Sequence, residues 1–207
     1  MALPDELTNG ILAAQSEMSR STSGELLLAS RERIWRAMGP LDPDNSTGQF
    51  GVGHLRRTHL FINCIEHVLP IWTSAYPEHQ GPQIMLKIAR RVLSASINRE
   101  TAKDARDEFW SELDGWEDDQ EYELEPQYVG YGSAKTVTAA LNDVLFPDDV
   151  LQEGETDWDH DPWEWQPDFY ASLPYKGTSQ QDLARIRGYW RWYLDEAVLA
   201  AYESVAD

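Results

Sequence analysis

The sequence predicts an all-α protein, a single-domain bundle of about seven or eight helices with one long acidic loop. Three observations carry that expectation. Apolar residues recur at three- and four-residue spacing over most of the chain, strand-type alternation bounded by turn residues is hard to find, and Pro and Gly fall between the periodic stretches. A chain of 207 residues, 42% hydrophobic with nine Trp, suits one domain spanning 1–207. It can bury roughly 70% of its unfolded surface and is too apolar for a disordered segment.

Each element has a local reason. Asp5, after Pro4, is placed to cap a first helix through about Ser19. Ser23 opens a second, carrying Leu26, Leu27, Ile34 and Trp35, which Gly39-Pro40 ends. Residues 40–53 are rich in Gly, Pro, Asp and Asn and read as a loop. The third helix starts near Gly53 and is apolar nearly all round, through Leu60, Phe61, Ile62, Cys64, Ile65, Val68 and Leu69, so it should be central. Pro70 should end or kink it, because it lacks a donor and crowds the preceding turn. Pro82 suits the first turn of a fourth helix with Ile84, Ile88, Val92 and Leu93 at helical spacing. Asn98 is a cap for a fifth, through about Leu113.

Residues 128–143 form a sixth helix with a small-residue face of Gly130, Gly132, Ser133, Ala134, Ala139 and Ala140. Each glycine lowers helix propensity by ~1 kcal/mol, so a closely approaching neighbour should compensate. An acidic loop at 145–164 precedes a short helix near Pro167–Leu173. The last helix, from about Gln180 to Val205, has a stripe of Leu183, Ile186, Trp190, Tyr193, Leu194, Ala197 and Ala201, with Trp192 and Leu199 opposite. Trp165, Phe169, Tyr170, Trp190 and Tyr193 are expected in the core.

The charge is regional. The chain carries 17 Lys and Arg against 36 Asp and Glu, a net charge of −19. Residues 104–168 hold 21 of the acids against only Arg106 and Lys135, so that region accounts for the whole excess. Nucleic acid and anionic membrane are therefore poor partners, and a basic protein is an attractive one. The acids alternate with Trp116, Tyr122, Tyr128, Trp158, Trp163 and Trp165, the mixture of rings and charge that an interface uses for burial and steering. The N-terminus lacks a basic segment and an apolar core of the signal-peptide kind. No apolar run approaches the ~20 residues of a membrane span. A cytoplasmic location is expected.

Nothing in the sequence asks for catalysis or a cofactor. Cys64 stands alone, which excludes an internal disulfide and a cysteine zinc cage. Asp157, Asp159 and Asp161 alternate like the opening of a calcium loop, but the sixth position is Pro162 and the twelfth Asp168, so a solvated acidic loop is the better reading. His59, Asn63 and His67, with Glu66, share helical spacing without a metalloprotease pattern; polar groups satisfying each other in a core is the expectation. Gly48-Gln49-Phe50-Gly51-Val52-Gly53 lacks the strand and the Lys of a nucleotide loop.

Three segments carry a family resemblance: Cys64 to Trp72 running into Tyr76-Pro77, Pro82 with the helix after it, and Trp165 to Ser172 followed by Tyr189 to Val198. Over roughly residues 54–203 the chain resembles the fifth Imm family of bacterial immunity proteins from polymorphic toxin systems, a mostly α-helical group. The resemblance implies an antitoxin that binds a cognate toxin domain and brings no catalytic residues. The charge adds that the toxin should be basic, as a nuclease would be. Two other readings compete: a helical metal-dependent hydrolase around Glu66 and His59, and an acidic nucleic-acid mimic. The expected contact residues are Asp114, Trp116, Glu117, Asp118, Asp119, Glu121 and Glu123 in one segment, and Glu153, Glu155, Asp157, Trp158, Asp159 and Asp161 in the other.

Overall fold

The computed structural model describes residues 3–41, 50–116, 123–142, 155–177 and 179–205, and among these the regular structure is entirely helical. The elements are α1 (Asp5–Arg20), α2 (Leu28–Ala37), α3 (Val52–Ala75), α4 (Gly81–Leu93), α5 (Arg99–Trp116), α6 (Leu124–Leu141), α7 (Pro167–Ser172), α8 (Gln180–Trp192) and α9 (Val198–Glu203). Single 3₁₀ turns at Asp157–Asp159, Pro162–Glu164 and Leu173–Tyr175 flank α7, and a π turn, Tyr193–Ala197, joins α8 to α9. The buried apolar side chains form one continuous core.

α3 is the axis of the fold. Leu60, Phe61, Ile62, Cys64, Ile65, Val68 and Trp72 are all buried, as its all-round hydrophobicity requires. It does not end at Pro70 but continues to Ala75. The helical acceptor that Pro70 leaves without a donor is the carbonyl four residues back, on Glu66, and both residues lie on the exposed side, where water can satisfy it. The polar start of α3 does structural work inside the core. Arg57 donates to the carbonyls of Trp35 (2.9 Å), Gly39 (2.8 Å) and Pro40 (2.8 Å), capping the C-terminal end of α2 with a buried cation.

α6 packs against α3, α4, α5 and α7. Its glycines allow this. A Cβ on Gly130 would lie 2.9 Å from the Trp72 ring and 3.0 Å from Leu113; one on Gly132 would lie 2.6 Å from Ile65 and 2.9 Å from Tyr170. The propensity cost of two mid-helix glycines is offset by close packing on two sides, as the small-residue face predicted.

Several boundaries differ from the sequence expectation. Pro4, not Asp5, precedes α1, and Asp5 sits in its first turn. α2 begins at Leu28 because the chain from Ser23 turns at Gly24, whose φ of 75° is left-handed. A Cβ at Gly24 would also meet Ile186 at 3.0 Å, so the turn is moulded onto α8. The buried stripe of α4 is Met85, Leu86, Ile88, Ala89 and Val92, while Ile84 is half exposed. Asn98 does cap α5, accepting from the Glu100 N–H at 2.8 Å. Ser179 and Asp182 form a reciprocal capping box at the start of α8. The stripe expected for the last helix is buried from Ile186 to Ala201, apart from the half-buried Leu183, and Trp165, Phe169, Tyr170, Trp190 and Tyr193 are all core residues.

Candidate functional site

The acidic segment that begins at Glu155 is fastened by a buried charge network. Arg31 lies on the apolar stripe of α2, one turn before Ile34 and Trp35, so its side chain enters the core and is fully buried. Its guanidinium bonds the carboxylate of Asp157 and, at 2.8 Å, that of Asp168. The rings of Trp35, Phe169 and Trp190 stand 5.3, 5.5 and 5.5 Å from the guanidinium carbon, giving the cation aromatic walls. Trp165 donates to the Asp157 carbonyl at 2.6 Å, and the Tyr189 hydroxyl to the Asp168 carbonyl at 2.8 Å. Burial alone would lower the Arg31 pKa; the two carboxylates more than reverse this and hold it above its ordinary range.

Asp157 is therefore not a solvent-facing contact residue. It is 5% exposed and spends its carboxylate on Arg31. The reason is electrostatic: a cation placed on an apolar stripe needs a buried counter-charge, and the first turn of this segment supplies it. The calcium-loop positions are diverted likewise. Asp168 serves Arg31, and Asp159 accepts from the N–H and hydroxyl of Thr156 at 2.8 and 2.9 Å.

Two carboxylates around one guanidinium leave an excess negative charge in the core. Burial pushes the Asp168 pKa up from 3.8 to about 6, with Arg31 opposing and Asp157 adding to the rise. A folded-state pKa above the unfolded value means that the folded protein binds this proton more tightly. Its contribution to stability is fully present below the unfolded value and is lost as pH rises through about 6. Urea midpoints should therefore rise between pH 7 and pH 5, and Asp168→Asn should flatten that rise. Glu17, Asp159 and Asp182 are held below their ordinary values, so their loss belongs to more acidic solution.

The rest of the segment stays at the surface. Glu155 is half-buried and lies 3.0 Å from His160; Asp159 and Asp161 are exposed. Trp158 is 45% exposed, but the Lys176 ammonium sits 3.7 Å from its ring centre. Trp163 is 59% exposed and stacks on Trp110 of α5 at 4.2 Å. That stack brings the second acidic segment to α5, whose Asp114 accepts from Tyr131 at 2.7 Å. Glu123 is exposed at the start of α6. Trp116 is half-buried, stacked on Trp72 at 5.6 Å and edge-on to Tyr76 and His79. Glu117, Asp118, Asp119, Glu121 and Glu153 lie outside the described residues.

The polar stripe of α3 is not a core network. Glu66 and His67 are exposed, and His59 and Asn63 half-buried. Glu66 pairs with Arg90 at 2.7 Å, and His67 stacks on Trp192 at 3.7 Å. Partial burial lowers the pKa of both histidines. Among the described residues no group of three His, Cys, Asp or Glu side chains is placed to hold a metal ion. Cys64 is buried, and burial pushes its thiol pKa up.

Fold and surface together define an all-α protein in which a buried arginine secures an acidic, tryptophan-bearing segment. The family model of the immunity protein Imm5 matches residues 11–200, and the chain belongs to that family. The match takes in residues 11–53, which the sequence resemblance had left aside. No curated protein matches the chain. Membership implies immunity through binding of a cognate toxin. None of the described helices is long and apolar enough to cross a membrane.

Sequence reasoning missed Arg31. The available signal was a charged residue on an apolar stripe, in register with Ile34 and Trp35. Trp163 was visible among the interleaved aromatics, but nothing in its spacing distinguished it from Trp158 or Trp165.

Proposed function

We propose that this chain neutralises a cognate toxin domain by direct binding in the cytoplasm, without catalysing a reaction of its own, and that the toxin is a nuclease with a basic cleft. The observation that carries the reading is the family match over residues 11–200. The net charge of −19, whose whole excess falls in residues 104–168, supports the choice of a basic partner. Opposite fields speed encounter, up to ~10⁸–10⁹ M⁻¹s⁻¹ at low salt, and fast capture suits a toxin of which few copies suffice. Contacts would come from Asp114, Trp116, Glu123, Glu155, Trp158, Asp159 and Asp161, together with Glu117, Asp118, Asp119, Glu121 and Glu153. Asp157 leaves this set because its carboxylate is buried on Arg31.

The test uses the toxin domain encoded just upstream. Co-expression with this chain should restore growth, and the purified proteins should form a complex. Absence of a complex would sink the reading. Reversing Asp118, Asp119 and Glu121 to Lys should slow association at low salt and weaken its salt dependence. An unchanged association rate would mean that this stretch plays no part in capture. An acidic nucleic-acid mimic would instead bind many unrelated basic proteins equally well.

A further inference from the structure

Among the described residues, no large apolar side chain is more exposed than Trp163. It is also firmly mounted. One indole face lies on Trp110, 4.2 Å away at 16°, and Trp110 in turn packs on Tyr131 at 4.8 Å. Lys135 donates to the Trp163 carbonyl, and the Tyr170 hydroxyl to that of Pro162 at 2.8 Å. The Asp161 N–H donates to Glu164 at 3.2 Å, closing the turn that carries the ring. A fold that needed only to cover Trp110 could do so without leaving over half of a second tryptophan in water.

The charge around this ring says what fits it. Asp107 and Asp114 lie one helical turn before and after Trp110 on α5, and Asp161 and Glu164 flank Trp163 in its turn. Of the nearby cations, Arg106 is balanced by Asp107 at 2.6 Å, while Lys135, which donates to the neutral Trp163 carbonyl, sets one positive charge against Asp114, Asp161 and Glu164. An indole face is itself the negative end of a quadrupole, so ring and rim both favour a cation. The protein shows the same pairing internally, with the Lys176 ammonium over Trp158. Trp158 is thereby occupied and Trp116 is turned onto Trp72, whereas Trp163 keeps one face free of any described ring or cation.

We propose that the open face of Trp163 is the anchor on which the toxin seats a Lys or Arg side chain, with Asp114, Asp161 and Glu164 as its acidic rim. This rests on the reading of the chain as a toxin-binding protein and names the centre of that contact. Because Trp110 and the pinned turn already hold the ring, docking costs little ordering entropy, which is what makes a single aromatic carry much of an interface.

The experiment measures binding of the full chain to the catalytically inactivated toxin domain encoded just upstream, at low and at physiological salt. Trp163→Ala should weaken binding by about 30-fold or more, mainly through faster dissociation. Trp163→Leu still covers Trp110 but has no ring face, and serves where the alanine variant does not fold; the same loss is expected. If wild type binds and either folded variant stays within about twofold of it, this assignment is overturned while the immunity reading stands. If wild type itself does not bind, the immunity reading falls and the anchor falls with it.

Discussion

Arg31→Ala should remove most or all of the cooperative unfolding transition at neutral pH. The guanidinium is fully buried and is the counter-charge for Asp157 and Asp168. Removing one partner of a buried ion pair typically costs ~3–5 kcal/mol, because the remaining charge is stranded away from water. Here two carboxylates would be stranded together, in a protein whose whole stability is of the order of 5–15 kcal/mol. The aromatic walls of Trp35, Phe169 and Trp190 would also lose the side chain they enclose. The effect should be relieved by neutralising the network as a whole. The Arg31→Met, Asp157→Asn, Asp168→Asn triple variant should recover much of the loss, since a buried ionic group replaced in full by neutral side chains is often nearly neutral in stability. Urea unfolding of the single and triple variants checks this. A single variant as stable as wild type would show that the network does not hold α2, the acidic segment and α7 together.

Trp190→Ala should cost ~3–5 kcal/mol by leaving a cavity at the centre of the core. Trp190 is fully buried and packs edge-on against Tyr189 at 4.9 Å and Tyr193 at 5.4 Å. Its indole N–H has no hydrogen-bond partner among the described residues. Trp190→Phe should therefore lose much less, because it keeps most of the ring packing and removes an unsatisfied buried donor. Thermal and urea unfolding separate the two variants. Toxin binding by Trp190→Ala should fall only with the folded fraction, in contrast to the expected behaviour of Trp163→Ala.

The helical class, the central place of α3 and the buried stripe of the last helix could be read from the sequence alone. Each depends on local periodicity, and burial follows from which face of a helix is apolar. The glycines of α6 were legible for a related reason: a conformational cost inside a helix implies close packing elsewhere, and Trp72, Leu113, Ile65 and Tyr170 supply it. The regional acidity was visible too, because charge adds along the chain without reference to folding. What only the tertiary structure decided is which acids face water and which face a partner inside the protein. Asp157 and Asp159 look alike in sequence, yet one is buried on Arg31 and the other caps Thr156 at the surface. Trp158 and Trp163 are equally unremarkable as letters, yet Lys176 covers one while Trp110 holds the other open to solvent. The burial of Asp157 and the fates of Trp158 and Trp163 are set by residues 18 to 126 positions apart in the chain, from Lys176 over Trp158 to Arg31 beneath Asp157. No local pattern records such a distance; it is fixed when the helices pack and a buried cation must find its counter-charge.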